Sequence, residues 1–376
     1  MRKERNAPIL IAVKLTLQLR LVPTPKQAIV LRATMRQFNA AATYAARIGF
    51  DASVFSQPPI HARSYHELRQ RFALSSQMAV RAIGKAVECF QRDRTTCPTF
   101  RPDGAMTYDE RILSFKGPAV VSILTLGGRE RIGLLYGAYQ RERFDRIKGQ
   151  VDLVLSDGAF YLYATIDLPE TAPVEPNDFL GIDLGIVNLA TDSDGRYHSG
   201  TAVERVRRRH FRNRKRLQRR QTRGAKKKLL ALAGREARFR RHKNHCISKA
   251  LVTTAQDTQR GIALEDLKGI RARITVSRRQ RDRQSGWGFA QLRSFVEYKA
   301  RLRGVLVVTV DPRNTSRTCH RCGHCEKANR QTQALFHCRA CHYTTSADFN
   351  AAKNLASLAQ AAFVNQPQNC QLAAAS

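Results

Sequence analysis

Strict alternation opens the chain. Residues 9–22 end in a run where Val13, Leu15, Leu17, Leu19 and Leu21 share one face and Lys14, Thr16, Gln18 and Arg20 the other. A period of two predicts a strand. Thr24-Pro25-Lys26-Gln27 then marks a helix start, a capping box with proline at the first helical position. Leu31, Met35, Phe38, Ala42 and Ala45 recur at helical spacing as far as Gly49. Ser64-Tyr65-His66-Glu67 reads as a second capping box opening a shorter helix. Met78, Ala82, Ile83, Ala86, Val87 and Phe90 trace a third. A helical block therefore occupies about 25–94, and from Pro98 the period returns to two. Strands are expected at 112–115, 119–126, 131–135, 150–155 and 159–167, separated by glycine turns, the last after an Asp157-Gly158 hairpin signal. With 9–22 these can close a small barrel. Pro173 and Pro176 mark a linker over 171–178.

The second half has a different rhythm. Residues 179–191 carry an apolar run with Asp183 inside it, a bend bracketed by glycines, a second apolar run, and then a turn at Asp194-Gly195. Short apolar runs bounded by turn residues predict buried strands, and a carboxylate inside one is costly unless paired or metal-bound. Another apolar run, 261–267, ends on Glu265 and Asp266. A helix is expected over about 287–303 (Trp287, Phe289, Leu292, Phe295, Val296, Leu302), then a strand at 305–310 stopped by Asp311-Pro312.

Charge changes the picture. The 376 residues carry 65 Lys and Arg against 30 Asp and Glu, a formal net charge of +35, which points to a polyanionic partner. At 43% hydrophobic the chain is globular. No run is apolar enough to span a bilayer and no signal-peptide core opens the chain, so no membrane role is expected. The basic residues concentrate at 203–243, where Glu204 and Glu236 are nearly alone among Arg207, Arg208, Arg212, Arg216, Arg219, Lys226 and Lys227. Without i,i+4 partners such a run repels itself unless phosphates neutralise it. We read two helices of a hairpin near Gly224 that contact nucleic acid, and an arginine-rich loop at 271–283 over the same groove.

Nine cysteines in a long chain without a secretory signal suggest metal rather than disulfides. Cys319, Cys322, Cys338 and Cys341 stand in C-x2-C-x15-C-x2-C spacing, and two such knuckles complete a closed tetrahedral Zn²⁺ site of structural type. Asp348 follows at the start of a helix. Alone it is an ordinary first-turn acid. Together with Asp183 and Glu265 it makes a set: in an RNase H-like sheet the first and fourth strands are parallel neighbours, their carboxylates meet at one end, and the helix lowers a third. Three hard oxygen ligands suit Mg²⁺, and two such ions drive phosphodiester hydrolysis.

Gly181-Ile182-Asp183-Leu184-Gly185, Leu264-Glu265-Asp266-Leu267, Thr315-Ser316-x-Thr318-Cys319-x-x-Cys322-Gly323 and Asp348-x-Asn350-Ala351-Ala352, in that order, resemble the RuvC-like nuclease of TnpB proteins, which insertion sequences encode and which are related to the type V CRISPR effectors. Leu19-Arg20-Leu21-Val22-Pro23-Thr24-Pro25-x-Gln27 is similar to the start of that family, and Glu297-Tyr298-Lys299-Ala300 to its helix before the ribbon. The resemblance spans about 10–360. It implies a multidomain α/β architecture: an RNase H-like (RuvC) nuclease at 179–313 and 346–362, an inserted zinc ribbon at 314–345, and a wedge β-barrel at 1–24 and 95–172 carrying a helical recognition lobe at 25–94. A linker at 173–178 and a tail at 363–376 complete it. It further implies an RNA-guided, Mg²⁺-dependent DNA endonuclease, with Mn²⁺ able to substitute, that needs a target-adjacent motif. Asp183, Glu265 and Asp348 would be its metal-binding acids. The implied partners are guide RNA from the transposon end, target double-stranded DNA and a separate transposase of the same element, in a bacterial or archaeal cytoplasm at the nucleoid. Two departures stand out. Ser346 replaces an acid found in many relatives, and His342 follows Cys341 where glycine is usual, which is expected to alter the ribbon turn. Competing readings are an RNA-guided repressor without cleavage, which the three acids argue against, a strand-transfer transposase, which the lack of any His-x-His pair argues against, and a guide-free junction resolvase, which would not need the helical lobe.

Overall fold

The computed structural model describes residues 12–266 and 288–365. The 271–283 loop, Trp287 and most of the expected tail lie outside the described residues. Two compact units are present, Lys14–Leu168 and the chain from Pro169 onward.

In the first unit a seven-stranded sheet has the order β2-β6-β7-β1-β5-β4-β3. The strands are β1 (Ala12–Val22), β2 (Met106–Tyr108), β3 (Leu113–Phe115), β4 (Val120–Thr125), β5 (Gly128–Leu135), β6 (Ile147–Ser156) and β7 (Ala159–Pro169). The two edge strands, β2 and β3, are consecutive in the chain, and the short 109–112 segment joins them. The sheet therefore curls into a near-closed barrel, and the Tyr108 hydroxyl donates across the gap to Leu124 O (3.2 Å). Helices α1 (Pro25–Asp51), α2 (Gln57–Arg71) and α3 (Ser76–Arg92) are inserted after β1. The Thr24–Gln27 capping box forms as expected. The box expected at Ser64 does not. Ser64 is buried inside α2 and its hydroxyl donates back to Ile60 O (2.7 Å). The helix instead begins at Gln57, where Pro58 supplies a preset φ at a position that needs no N–H.

The second unit is built on a five-stranded sheet of order β10-β9-β8-β11-β12. Strands β8 (Phe179–Asp183), β9 (Asn188–Asp192) and β10 (Tyr197–Ser199) form an antiparallel meander, and β11 (Gly261–Glu265) and β12 (Val307–Val310) add in parallel on the far side of β8. Helices α5 (Thr201–Arg220) and α6 (Arg223–Asp257) make the basic hairpin; a short α4 (Ala138–Arg141) belongs to the barrel unit. The hairpin near Gly224 is present, its turn at Gln221-Thr222, two residues before that glycine. Gln221 takes a left-handed φ of 50°, Thr222 accepts from Ala225 N to cap α6, and Gly224 is already in the first turn of that helix. The described part of the ribbon helix is α7 (Phe289–Arg301), and α8 (Ala347–Val364) closes the chain.

Period two divides the sheet between two cores. Leu180, Ile182, Ile262 and Leu264 pack with Leu251, Val252, Leu292 and Val296 of α6 and α7. Phe179, Ala263 and Val310 pack on the other side with Leu355 and Ala359 of α8. Asp183 and Glu265 continue the second series, so both belong to the face that α8 covers.

Candidate functional site

β8 and β11 run parallel with Gly181 opposite Ala263 and Ile182 opposite Leu264. The same register brings Glu265 beside Asp183 at the C-terminal ends of both strands. The two carboxyls lie close enough to act on each other's ionisation. Burial, followed by the charges of Glu265 and Asp348, pushes the Asp183 carboxyl well above its ordinary value. Burial also pushes Glu265 up to about 7, against the opposing effects of the neighbouring Asp183 and of Arg330. Two carboxylates this close cannot both ionise without a cation.

Asp348 arrives from the other side. It lies in the first turn of α8, where the helix dipole favours negative charge. It accepts from Asn188 Nδ2 at 2.8 Å. The helix can approach because residue 181 is glycine: a Cβ there would lie 1.9 Å from Ala352 O and 2.7 Å from Ala356 N. Ala351 and Ala352 are the buried residues of α8 at this contact. One strand pair thus sets Asp183 beside Glu265, and α8 brings Asp348 near enough for its charge to act on Asp183, without the three carboxylates closing to the spacing of the four cysteines. Asp266 faces elsewhere and pairs with Arg293 (3.4 Å).

The ribbon holds a small hairpin, β13 (Leu335–His337) with β14 (Thr344–Ser346), whose connection carries the second knuckle, Cys338 and Cys341. The four sulfurs of Cys319, Cys322, Cys338 and Cys341 lie within 4.8 Å of one another, the one such cluster among the described residues. Cys319–Cys341 is 3.7 Å and Cys322–Cys338 3.6 Å. A tetrahedron with Zn–S bonds of 2.3 Å requires S···S of about 3.8 Å, so the donor set fits zinc. The His342 departure leaves the turn intact. His342 adopts φ 56° where the first knuckle has Gly323 at 75°, and the turn bonds match: His342 N to Cys338 O at 3.0 Å, Gly323 N to Cys319 O at 2.9 Å. Histidine is among the residues that tolerate this region.

The ribbon is tied to α8 by two asparagines. Asn350 accepts from His320 N (3.1 Å) and donates to Thr318 O (2.8 Å); Asn354 donates to Thr315 O and Thr318 O (both 2.7 Å).

Of the basic residues singled out from sequence, Arg212, Arg216, Arg219, Lys226 and Lys227 are exposed along the α5–α6 hairpin. Arg207 and Arg208 are not left without acids as expected: both bond Glu204, at 2.7 and 2.8 Å. Two residues beside the acids escaped the sequence reading. Arg330, from the ribbon, sits close enough for its charge to oppose the rise in Asp183 and Glu265. One arginine among so many gives no signal in sequence. Asn188 lies inside the stretch that was noticed, but nothing in its spacing separates it from a turn residue.

Comparison with known proteins follows the same lines. Residues 161–269 match the family model described as probable transposase (OrfB_IS605), and 289–355 match the Cas12f1-like TNB domain. A CRISPR-associated endodeoxyribonuclease Cas12f1 from Sulfoacidibacillus thermotolerans is 34% identical over 216 residues, 52% of this chain and 50% of that protein. The chain thus spans about half the length of that relative. The putative RNA-guided DNA endonuclease InsQ of Escherichia coli K12 is 27% identical over 307 residues, 74% of this chain and 72% of its own. A TnpB-like protein of Methanocaldococcus jannaschii is 37% identical over 124 residues, 33% of this chain and 44% of its own. Among solved structures, a Cas12f1–sgRNA–target DNA complex superposes with TM-score 0.62 at 14% identity, covering 92% of this chain and 99% of that one. The mini-RNA-guided endonuclease Cas_phi3 gives 0.57 at 10% identity, covering 95% and 93%. At these identities the likeness is one of fold, a multidomain α/β architecture. Among the described residues no helix is long and apolar enough to cross a membrane.

Proposed function

We propose that this chain, which belongs to the TnpB family, is an RNA-guided DNA endonuclease whose active site is Asp183, Glu265 and Asp348 on an RNase H-like (RuvC) sheet. The observation that carries the reading is the meeting of Asp183 and Glu265 at the ends of two parallel strands, with Asp348 delivered by α8. The antiparallel meander followed by two parallel strands is the sheet order an RNase H-like domain requires. The division into wedge barrel, helical lobe, nuclease and ribbon, and the use of a target-adjacent motif, belong to the same proposal.

The donor set suits Mg²⁺: three hard carboxylates, two of them forced up by burial, a cost that a cation would reverse. Bound there, Mg²⁺ would supply Lewis acidity toward the phosphate oxygens and make a bound water easier to deprotonate. The protein's own part is positioning. Asp183 and Glu265 fix two ligand oxygens on rigid strands. Asn188 holds the Asp348 carboxylate by a hydrogen bond that fixes its rotamer. Arg330 is placed to meet the charge of a phosphate at the site. Zn²⁺ in the closed cysteine site has no open position and serves structure.

The test is to purify the protein, sequence any RNA that accompanies it, and offer duplex DNA matched to that RNA with Mg²⁺. Cleavage at the matched site, lost in Asp183→Ala, Glu265→Ala and Asp348→Ala while target binding persists, supports the reading. Asp266→Ala should cut nearly normally. Guided binding without cleavage by the wild type would replace it with a binding-only role, and the absence of any discrete RNA would remove guidance altogether.

A further inference from the structure

The α5–α6 hairpin carries more than exposed charge. A groove of about 540 Å³ runs between the two helices. Leu229, Leu232 and Ala233 of α6 give it an apolar floor, and Phe211 of α5 lines it while remaining 52% exposed. Arg207, Arg214 and Arg240 line it too, Arg207 already paired with Glu204. One carboxylate, Glu236, also lines it, 3.6 Å from Arg214 and 3.6 Å from His210 Nδ1. Both distances are too long for a hydrogen bond. His210 is buried, and its Nδ1 has no hydrogen-bond partner.

The floor of the groove does not suit a phosphate: it is apolar, and Glu236 beside it repels one, whereas the arginines that line the groove and run along the hairpin attract a polyanion's backbone. The floor, the aromatic ring and the carboxylate together suit a nucleobase, which offers apolar faces for stacking and an edge of N–H donors. Guanine places two donors, N1–H and N2–H, side by side, matching the two oxygens of one carboxylate. Adenine and cytosine offer one amino group and uracil one imide.

We propose that the α5–α6 groove takes an unpaired guanine of single-stranded nucleic acid, stacked by Phe211 and read by Glu236. This rests on the nucleic-acid partner proposed above, but it adds base selectivity to a surface whose charge alone would bind any sequence.

The test uses the full chain without guide or target, in fluorescence anisotropy at fixed salt. The probes are about ten-nucleotide oligouridylates carrying one central G, A or C, and their deoxy counterparts. The G probe is expected to bind about tenfold more tightly than the others, the discrimination of one good bidentate contact. Glu236→Gln, nearly isosteric, should keep overall affinity and lose the preference. Phe211→Ala should weaken the G probe about fivefold or more. A preference confined to the ribo-series assigns the base to RNA; one shared by both series assigns it to either strand. Equal binding of all probes by the wild type, or a preference that survives Glu236→Gln, would overturn the proposal while leaving guided cleavage standing. Loss of guided cleavage with the preference intact would do the reverse.

Discussion

Gly181→Ala is the smallest change that should dismantle the acidic site from a distance. The added Cβ meets backbone, the carbonyl oxygen of Ala352 at 1.9 Å and the nitrogen of Ala356 at 2.7 Å, so no side chain can rotate away. Real Cβ atoms stay beyond 3.0 Å; the shortfall, 3.0 less 1.9, is about 1.1 Å, and α8 must back off by at least that much. Overpacking of this kind costs about 1–3 kcal/mol, and more where only backbone can yield. For a unit of this size each kcal/mol lowers Tm by roughly 2–4 °C. Asp348 stands one turn before Ala352 and moves with it. A displacement of about 1 Å at a reacting group costs on the order of 100-fold in rate. Gly224→Ala is the control, because a Cβ there meets nothing within 4 Å, in an exposed helix where alanine is favoured by about 0.5–1 kcal/mol. Thermal unfolding and Mg²⁺-dependent cleavage should both fall for Gly181→Ala and neither for Gly224→Ala. A Gly181→Ala protein that melts and cuts like the wild type would refute the claim that this contact sets the site.

Two further outcomes follow from charge. Replacing Arg208, Arg212, Arg216 and Arg219 with Gln should flatten the slope of log K against log salt by up to about 3–4 units, at roughly 0.9 per phosphate contact; an unchanged slope would mean those side chains face solvent in the complex. The second concerns pH. Glu265 titrates near 7 in the folded chain, above its ordinary 4.5, so without divalent metal the native state holds a proton that the unfolded state has lost. The stabilising effect is therefore fully present below about 4.5 and is lost as pH rises through about 7. Denaturation without added Mg²⁺ and with zinc retained, at pH 5 and pH 8, should show a fall that Glu265→Gln reduces and added Mg²⁺ offsets. A wild type as stable at pH 8 as at pH 5 under those conditions would contradict the burial of the pair.

What could be read in the sequence was whatever short-range periodicity encodes. The alternation of β1, the Thr24 cap and the apolar runs around Asp183 and Glu265 were legible, because each depends on residues a few positions apart. The cysteine set was legible because a metal constrains spacing directly. The Ser64 box was misread because its local pattern is real, but Pro58 had already started that helix and left Ser64 to bond backward to Ile60. The hairpin was legible near Gly224 because glycine is the usual signal, but the turn itself is made by a left-handed Gln221 and the Thr222 cap. Arg330 and Asn188 could not be found at all. Their roles depend on which distant segments the fold brings beside the acids, and neither residue type is unusual where it stands.

The two asparagines of α8 suggest that zinc acts on the acidic site as well as on the ribbon. Asn350 and Asn354 bond the backbone of Thr315, Thr318 and His320, the segment that leads into Cys319. Asp348 is on the same helix, two residues before Asn350. The knuckle that holds the metal and the turn that presents the acid are therefore linked by four hydrogen bonds and one helical turn. Removing zinc releases the knuckle and leaves Asn188, the Gly181 contact and the packing of Ala351 and Ala352 to position the start of α8. Cys319→Ser with Cys322→Ser should lose about one zinc per chain. Cleavage should then fall much further than the fraction of folded protein at the assay temperature. Asn354→Ala offers the same break with zinc retained: it strips the partner from Thr315 O and one of two partners from Thr318 O, which keeps its bond to Asn350, a loss of about 1–3 kcal/mol, and cleavage should drop while metal content stays at one. If Asn354→Ala keeps both zinc and full activity, the ribbon and the acids are independent, and the conjunction of the two motifs in one short stretch of chain has some other cause.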